Sequence, residues 1–155
     1  MSLPWRSWWP RWLGGRPAAA PSENEPEHLR RGRVGEAEAL AYLRTAGLKL
    51  LVANFREPKA GRGEIDLILR DGDCLAFVEV KTRSREDWVR PAAAVDAGKR
   101  RLLSAQAMAY LRRLPTREVK WRFDIVEVLL HPDGAVREIR HLPNAFPVDA
   151  RYQYW

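Results

Sequence analysis

Residues 63–83, GEIDLILRDGDCLAFVEVKTR, read as two strands joined by a tight turn. Apolar residues recur at Ile65, Leu67 and Leu69, and a nearly continuous apolar run follows from Leu75 to Val80, broken by Glu79. Asp71-Gly72 is a hairpin signal, because that pair tolerates the positive φ angles of a two-residue turn. With these two at the centre of the turn, Arg70 faces Asp73, Asp66 faces Phe77 and Glu64 faces Glu79. Side chains alternate faces with period two. Glu64 and Asp66 therefore share a face with Glu79 and Lys81, while Ile65, Leu67, Val78 and Val80 form an apolar face that must be buried.

Three carboxylates and one ammonium thus converge on one patch of sheet. Directly opposed residues sit roughly 5 Å apart and diagonal ones roughly 7–8 Å. Like charges at that spacing repel and raise one another's pKa unless a cation compensates. Lys81 supplies one positive charge and a divalent metal would supply two. Oxygen donors suit a hard ion, Mg2+ or Mn2+, which commonly keeps several waters. The plainer alternative is a salt bridge between Glu79 and Lys81 with no metal, since such pairs are common and weak.

Working outward, residues 58–63 (PKAGRG) form a basic, glycine-containing loop, and residues 48–56 (LKLLVANFR) a candidate edge strand. Residues 30–46 read as a helix with Ala37, Leu40, Ala41 and Leu43 or Arg44 at helical spacing, stopped by Gly47. Glu36 lies in or near its first turn, where a carboxylate complements the helix dipole or adds a further acid to the sheet cluster. Beyond Lys81, the run TRSREDWVRP sets Arg83, Arg85 and Arg90 around Trp88. It reads as a solvated connector or as a loop that grips a phosphate backbone and stacks on a base.

Residues 92–114 carry the longest helical pattern, with Val95, Leu102, Leu103, Ala109, Tyr110 and Leu114 on a broad buried face. Lys99, Arg100 and Arg101 crowd its start, against the dipole. Nucleic-acid phosphate would favour them there, although charge runs are most often a solvated face. Residues 119–130 form another strand, with Trp121, Phe123 and Ile125 on one side and Arg122, Asp124 and Val126 on the other. A turn at 131–134 leads to a final strand, 135–142, and a tail at 143–155 that packs on the core or frays. His131 and His141 lack a partner pattern for metal or nucleophilic chemistry. The order is helix, three strands, helix, two strands, which suggests an α/β fold with a mixed sheet and a crossover helix.

The first 28 residues differ from the rest. Trp5, Trp8, Trp9 and Trp12 stand with Arg6 and Arg11, ahead of a Pro/Ala/Gly stretch and an acidic patch. The segment lacks the apolar run of a signal peptide and reads as a disordered leader. Its sharper reading is an interfacial patch for membrane headgroups or base stacking. A chain of 155 residues suggests one domain with flexible ends, here residues 29–142. The net charge of +7 and pI of about 10.1 point to a polyanionic partner, nucleic acid or an anionic membrane surface. Cys74 is the sole cysteine, so no intramolecular disulfide forms and no thiolate zinc site is available. A reducing, cytoplasmic compartment fits, and no stretch is long and apolar enough to span a bilayer.

Four ordered motifs carry a resemblance: Arg33-Val-Gly-Glu36, Gly63-Glu-Ile-Asp66-Leu, Phe77-Val-Glu79-Val-Lys81-Thr-Arg83, and Ala94-Val95 with Lys99. Across roughly residues 29–130 the chain resembles the YraN family of small bacterial proteins. That family belongs to the restriction-endonuclease-like, PD-(D/E)XK superfamily and is similar to the archaeal Holliday junction resolvases. The resemblance implies an αβββαβ core, a central mixed sheet flanked by two main helices. It implies that Asp66 and Glu79 ligate the metal, that Lys81 positions or activates the attacking water, that Glu36 is the acid of the first helix and a further ligand, and that Lys99 faces the site from the second helix.

The expectation is therefore a Mg2+- or Mn2+-dependent endonuclease, acting on DNA rather than RNA and on branched structures in one form of the reading. Asp66, Glu79, Lys81 and Glu36 would be its catalytic residues, and Arg83, Arg85, Lys99, Arg100 and Arg101 its backbone contacts. The alternative is a nucleic-acid-binding module with little or no catalysis. A third reading, a membrane- or partner-tethered protein, rests on the tryptophan leader alone. A homodimer follows only by analogy with junction-cutting relatives.

Overall fold

The structure, a computed structural model, describes residues 25–84 and 95–153. The tryptophan-rich leader, Arg85 and the loop around Trp88 lie outside the described residues. The elements run α1 (Glu27–Thr45), β1 (Lys49–Phe55), β2 (Ile65–Asp71), β3 (Cys74–Arg83), α2 (Ala97–Leu111), β4 (Lys120–Leu130) and β5 (Val136–Phe146), the order expected. The strands form one five-stranded sheet in sequence order, β1 to β5. Neighbours are antiparallel except β3 and β4, which run parallel and are linked through α2. This is an α/β fold with a mixed sheet and two main helices.

Each sheet face has its own apolar layer. On one side Ala39 and Leu43 of α1 pack with Leu67, Leu69, Ala76, Val78, Val126 and Val128. On the other, Leu103, Ala107, Tyr110 and Leu111 of α2 pack with Ile68, Leu75, Phe77, Phe123 and Ile125. Tyr110 sits edge-on to Phe55 and Phe77, with ring centroids 5.2 and 5.9 Å apart. Burying such apolar surface on both faces is the main source of stability.

Several sequence expectations are corrected. Asp71 pairs with Cys74, so the central turn residues are Gly72 and Asp73, not Asp71 and Gly72. Gly72 takes φ 58° as the first central residue, which is where a type II′ turn wants glycine. The pairing is shifted by two residues, and a two-residue shift leaves every side chain on its original face. Ile65 does not join Leu67 and Val78. Asn54, at φ 52°, breaks the alternation of β1, and Phe55 and its partner Ile65 both enter the α2 layer.

In α1 the buried stripe is Gly35, Ala39 and Leu43, one turn apart, while Ala37 and Ala41 are exposed. The second helix begins at Ala97, because Asp96 caps it by accepting the Lys99 N–H at 2.8 Å. Leu102 is exposed, and Ser104 and Gln106 are buried in its place. The last strand continues past Leu142 to Phe146, which stacks on Phe123 at 4.7 Å. Pro143 is tolerated because β5 is an edge strand, where a missing N–H need not break a ladder.

Candidate metal centre and acidic cleft

The hydrogen-bonded ladder between β2 and β3 runs from Asp71–Cys74 to Leu67–Val78. One step further the register brings Asp66 opposite Glu79, and there the strands part. The Asp66 Oδ2 takes the rung's place by accepting the Val80 N–H at 2.7 Å. The acids thus gather where the sheet opens, within reach of groups from both helical layers.

Glu79 is buried, only 4% exposed. Its Oε1 lies 3.0 Å from the Lys81 Nζ and 3.2 Å from the Lys99 Nζ, so β3 and α2 each supply an ammonium. Its Oε2 is buried and has no hydrogen-bond partner among the described residues. An unsatisfied buried acceptor costs about 1–3 kcal/mol, more when charged. The atom is thus available to a cationic ligand.

Asp66 is pushed up to about 8, first by burial and then by the charge of Glu79, against the Val80 hydrogen bond. Without a cation Asp66 therefore retains a proton near neutrality. Glu36 is raised as well, by burial and by the charges of Glu64 and Glu79. It reaches the cleft because α1 lies almost on β3: a Cβ on Gly35 would stand 1.8 Å from the Thr82 Oγ1. A cleft of about 380 Å3 is lined by Glu36, Asp66, Glu79, Thr82 and Arg83, among others.

The donor chemistry fits a hard divalent ion at the Asp66–Glu79 pair. An orphaned carboxylate oxygen beside a crowded, proton-retaining acid is what such an ion would relieve, and Mg2+ commonly takes only one or two protein carboxylates. Glu36 shares the cleft but does not complete a cage. No group of three or more His, Cys, Asp or Glu among the described residues is arranged to hold a metal ion. The Glu79–Lys81 salt bridge, the plainer alternative from sequence, is formed.

The cations expected to meet nucleic acid are placed unevenly. Lys99 is engaged with Glu79, and Arg83 lies 3.3 Å from Glu127 on β4. The Arg100 Nε donates to the Val95 carbonyl at 2.9 Å, and its guanidinium lies over the Phe146 ring. Arg101 is exposed. Arg85 lies outside the described residues.

Sequence reasoning passed over a second polar cluster, in β4. Asp124 is fully buried and accepts from Arg122 at 2.9 Å, from the Asn144 N–H at 2.9 Å and from His141, whose Nε2 lies 2.8 Å away. Burial works to raise the Asp124 carboxyl, but these hydrogen bonds outweigh it and hold it below its usual range. Arg122 also reaches Asp71 at 2.8 Å. A lone Asp in an apolar strand was the available signal, since a buried charge must be paired.

A family profile described as "Uncharacterised protein family UPF0102" matches residues 35–128, which include Glu36, Asp66, Glu79, Lys81 and Lys99. The chain is 47% identical over 112 residues to a UPF0102 protein of Solibacter usitatus, covering 70% of this chain and 82% of the relative. It is 40% identical over 122 residues to one of Porphyromonas gingivalis, covering 79% and 87%. With one of Symbiobacterium thermophilum it shares 44% over 115 residues, covering 74% and 94%. The profile spans the parted strands, all of α2 and α1 from Gly35 onward, and these relatives align across most of their own lengths: the chain belongs to the UPF0102 family.

Proposed function

We propose that the protein is a metal-dependent nuclease with a restriction-endonuclease-like core, acting on the phosphodiester backbone of DNA. The observation that carries this reading is the Glu79 Oε2, a buried carboxylate oxygen without a partner, beside a proton-retaining Asp66 on the adjacent strand. Asp66 and Glu79 would hold Mg2+ or Mn2+, with Glu36 contributing negative charge from the cleft wall. A divalent ion bound there supplies Lewis acidity toward a phosphoryl oxygen and a lowered pKa for water.

The chain's own groups supply the rest. Lys81 and Lys99 fix Glu79 from two sides and place two ammoniums where negative charge would develop, a preorganised arrangement that needs no rearrangement during reaction. Asp66 would hold such an ion as a carboxylate, its proton released to solvent. Arg101 offers an exposed guanidinium to the backbone. The reading carries with it a cytoplasmic setting and, for two-fold symmetric branched substrates, a homodimer.

The test is cleavage of junction, flap and duplex DNA in Mg2+ or Mn2+, with Asp66→Ala and Glu79→Ala preparations alongside. Cleavage by the wild type that both variants lose supports the proposal. Cleavage that persists in either variant identifies a contaminant and defeats it. A second reading, a nucleic-acid-binding module without catalysis, is favoured by the two lysines that already compensate Glu79. It predicts salt-dependent DNA binding and no calorimetric heat on adding Mg2+.

A further inference from the structure

Residues 56–62 are most of the connection from β1 to β2, which closes with Gly63 and the half-buried Glu64 just ahead of the acidic pair. Arg56, Lys59 and Arg62 are exposed there, and none forms a salt bridge with an acid among the described residues. The loop's one acid, Glu57, is bound by Arg113 of the α2 C-terminal turn and accepts the Lys59 N–H at 3.2 Å. The exposed charged side chains of residues 56–62 are therefore all cationic, and the acid that follows them, Glu64, is half-buried at the start of the sheet.

This loop is held from inside the protein. Gln106 of α2 is fully buried. Its Oε1 accepts the Glu57 N–H at 2.7 Å, and its Nε2 donates to the Glu57 carbonyl at 3.1 Å and the Gly61 carbonyl at 3.4 Å. Surface loops usually satisfy their backbone groups with water. A buried primary amide that binds both ends of a surface loop removes that freedom. Cations on such a loop lose less entropy when they meet a partner, which is the physical benefit of preorganisation.

Resting on the nuclease reading above, we propose that residues 56–62 are a second phosphate-binding element, a rigid arm that grips the duplex backbone entering the acidic cleft. Arg62 is four residues from Asp66, so their Cα atoms are at most about 14 Å apart. That corresponds to about four base steps along a duplex. The loop has no aromatic or large aliphatic residue to insert among lipid tails, so its chemistry fits phosphodiester rather than a membrane.

The experiment is fluorescence anisotropy of a labelled 30-base-pair duplex with the full chain, in EDTA, between 50 and 200 mM KCl. Wild type is compared with the triple variant Arg56→Gln, Lys59→Gln, Arg62→Gln, whose sites are all on the surface. If all three cations contact phosphates, the variant's log–log salt slope becomes shallower by about 2.7. Over that salt range the variant then loses about fortyfold less affinity than wild type. Gln106→Leu, which frees the loop but keeps its charge, should weaken binding with the slope nearly unchanged and open residues 56–62 to proteolysis.

Equal slope and affinity in the triple variant would overturn this inference and leave the nuclease reading standing. A wild type with no duplex affinity in EDTA also overturns this inference, while the nuclease reading is decided by cleavage in Mg2+ or Mn2+. Loss of binding to phosphatidylglycerol vesicles with DNA binding intact would assign the loop to lipid instead. Because no ion is present, failure of cleavage in Mg2+ leaves the binding result unaffected.

Discussion

Replacing Asp66 by Asn should make the metal-free protein more stable, and increasingly so as the pH rises. The folded-state carboxyl is pushed from 3.8 up to about 8, chiefly by burial and then by Glu79 and Glu36, with Lys99 opposing. Between those two values the folded protein holds a proton that the unfolded chain has released. Stability must therefore fall as pH rises through that window, by at most about 1.4 kcal/mol per unit for this group. From pH 5 to pH 8 the loss comes to about 2–4 kcal/mol, the lower figure allowing for solvent screening. Asn keeps an oxygen to accept the Val80 N–H but has no charge to desolvate. Urea unfolding of both proteins in EDTA at pH 5 and pH 8 provides the assay, and subtracting the two removes most of what other groups contribute. The stability advantage of Asp66→Asn should grow by about 2–4 kcal/mol between the two pH values. An advantage that stays constant would refute the argument that burial and acid crowding hold a proton in this site. Millimolar Mg2+ at pH 8 should narrow the gap by stabilising only the wild type.

Glu79→Gln removes the charge shared by Lys81 and Lys99, and should cost about 1–2 kcal/mol, because both ammoniums remain partly hydrated. The same variant should show no calorimetric Mg2+ binding. Gly35→Ala drives a methyl into Thr82 and should cost about 1–3 kcal/mol. Adding Thr82→Ala should recover much of that loss, a coupling that a double-mutant cycle on urea midpoints reads directly. Asp124→Asn, at the buried junction of Arg122 and His141, should cost about 3–5 kcal/mol at pH 7. Because the folded Asp124 carboxyl lies below 3.8, its contribution is present above that value and fades as pH falls through the folded pKa. The stability difference between wild type and variant should therefore shrink as the pH falls below 3.8, and acid titration followed by circular dichroism checks this.

Alternation and turn chemistry were sufficient to read the element order, the hairpin and the side of the sheet that carries Asp66, Glu79 and Lys81. They placed the turn one residue early, since Asp71-Gly72 and Gly72-Asp73 are equally plausible as strings. Only the φ of Gly72 and the pairing of Asp71 with Cys74 separate them. The error was harmless to the site because the pairing sum changed by two. The reach of Lys99 to Glu79 was legible only through family resemblance, because it depends on how α2 crosses the sheet. Gln106 and Asp124 escaped for related reasons: Gln106 meets only distant backbone groups, and Asp124, although Arg122 stands two residues away on its face, is completed by His141 and the Asn144 N–H of the next strand. Arg100, read as a phosphate contact, is engaged by the Val95 carbonyl and the Phe146 ring, and nothing in the strand pattern placed Phe146 there.

The aspartate that stands in for a backbone rung has a duty to the sheet that is separate from chemistry. A relative that bound no ion at all would still need an acceptor for the Val80 N–H at the point where the strands diverge. The free oxygen of Glu79 has no such architectural employment. Among relatives, an acceptor side chain at position 66 is therefore a marker of the scaffold, whereas the second oxygen of a glutamate at position 79 is what the proposed ion would draw on.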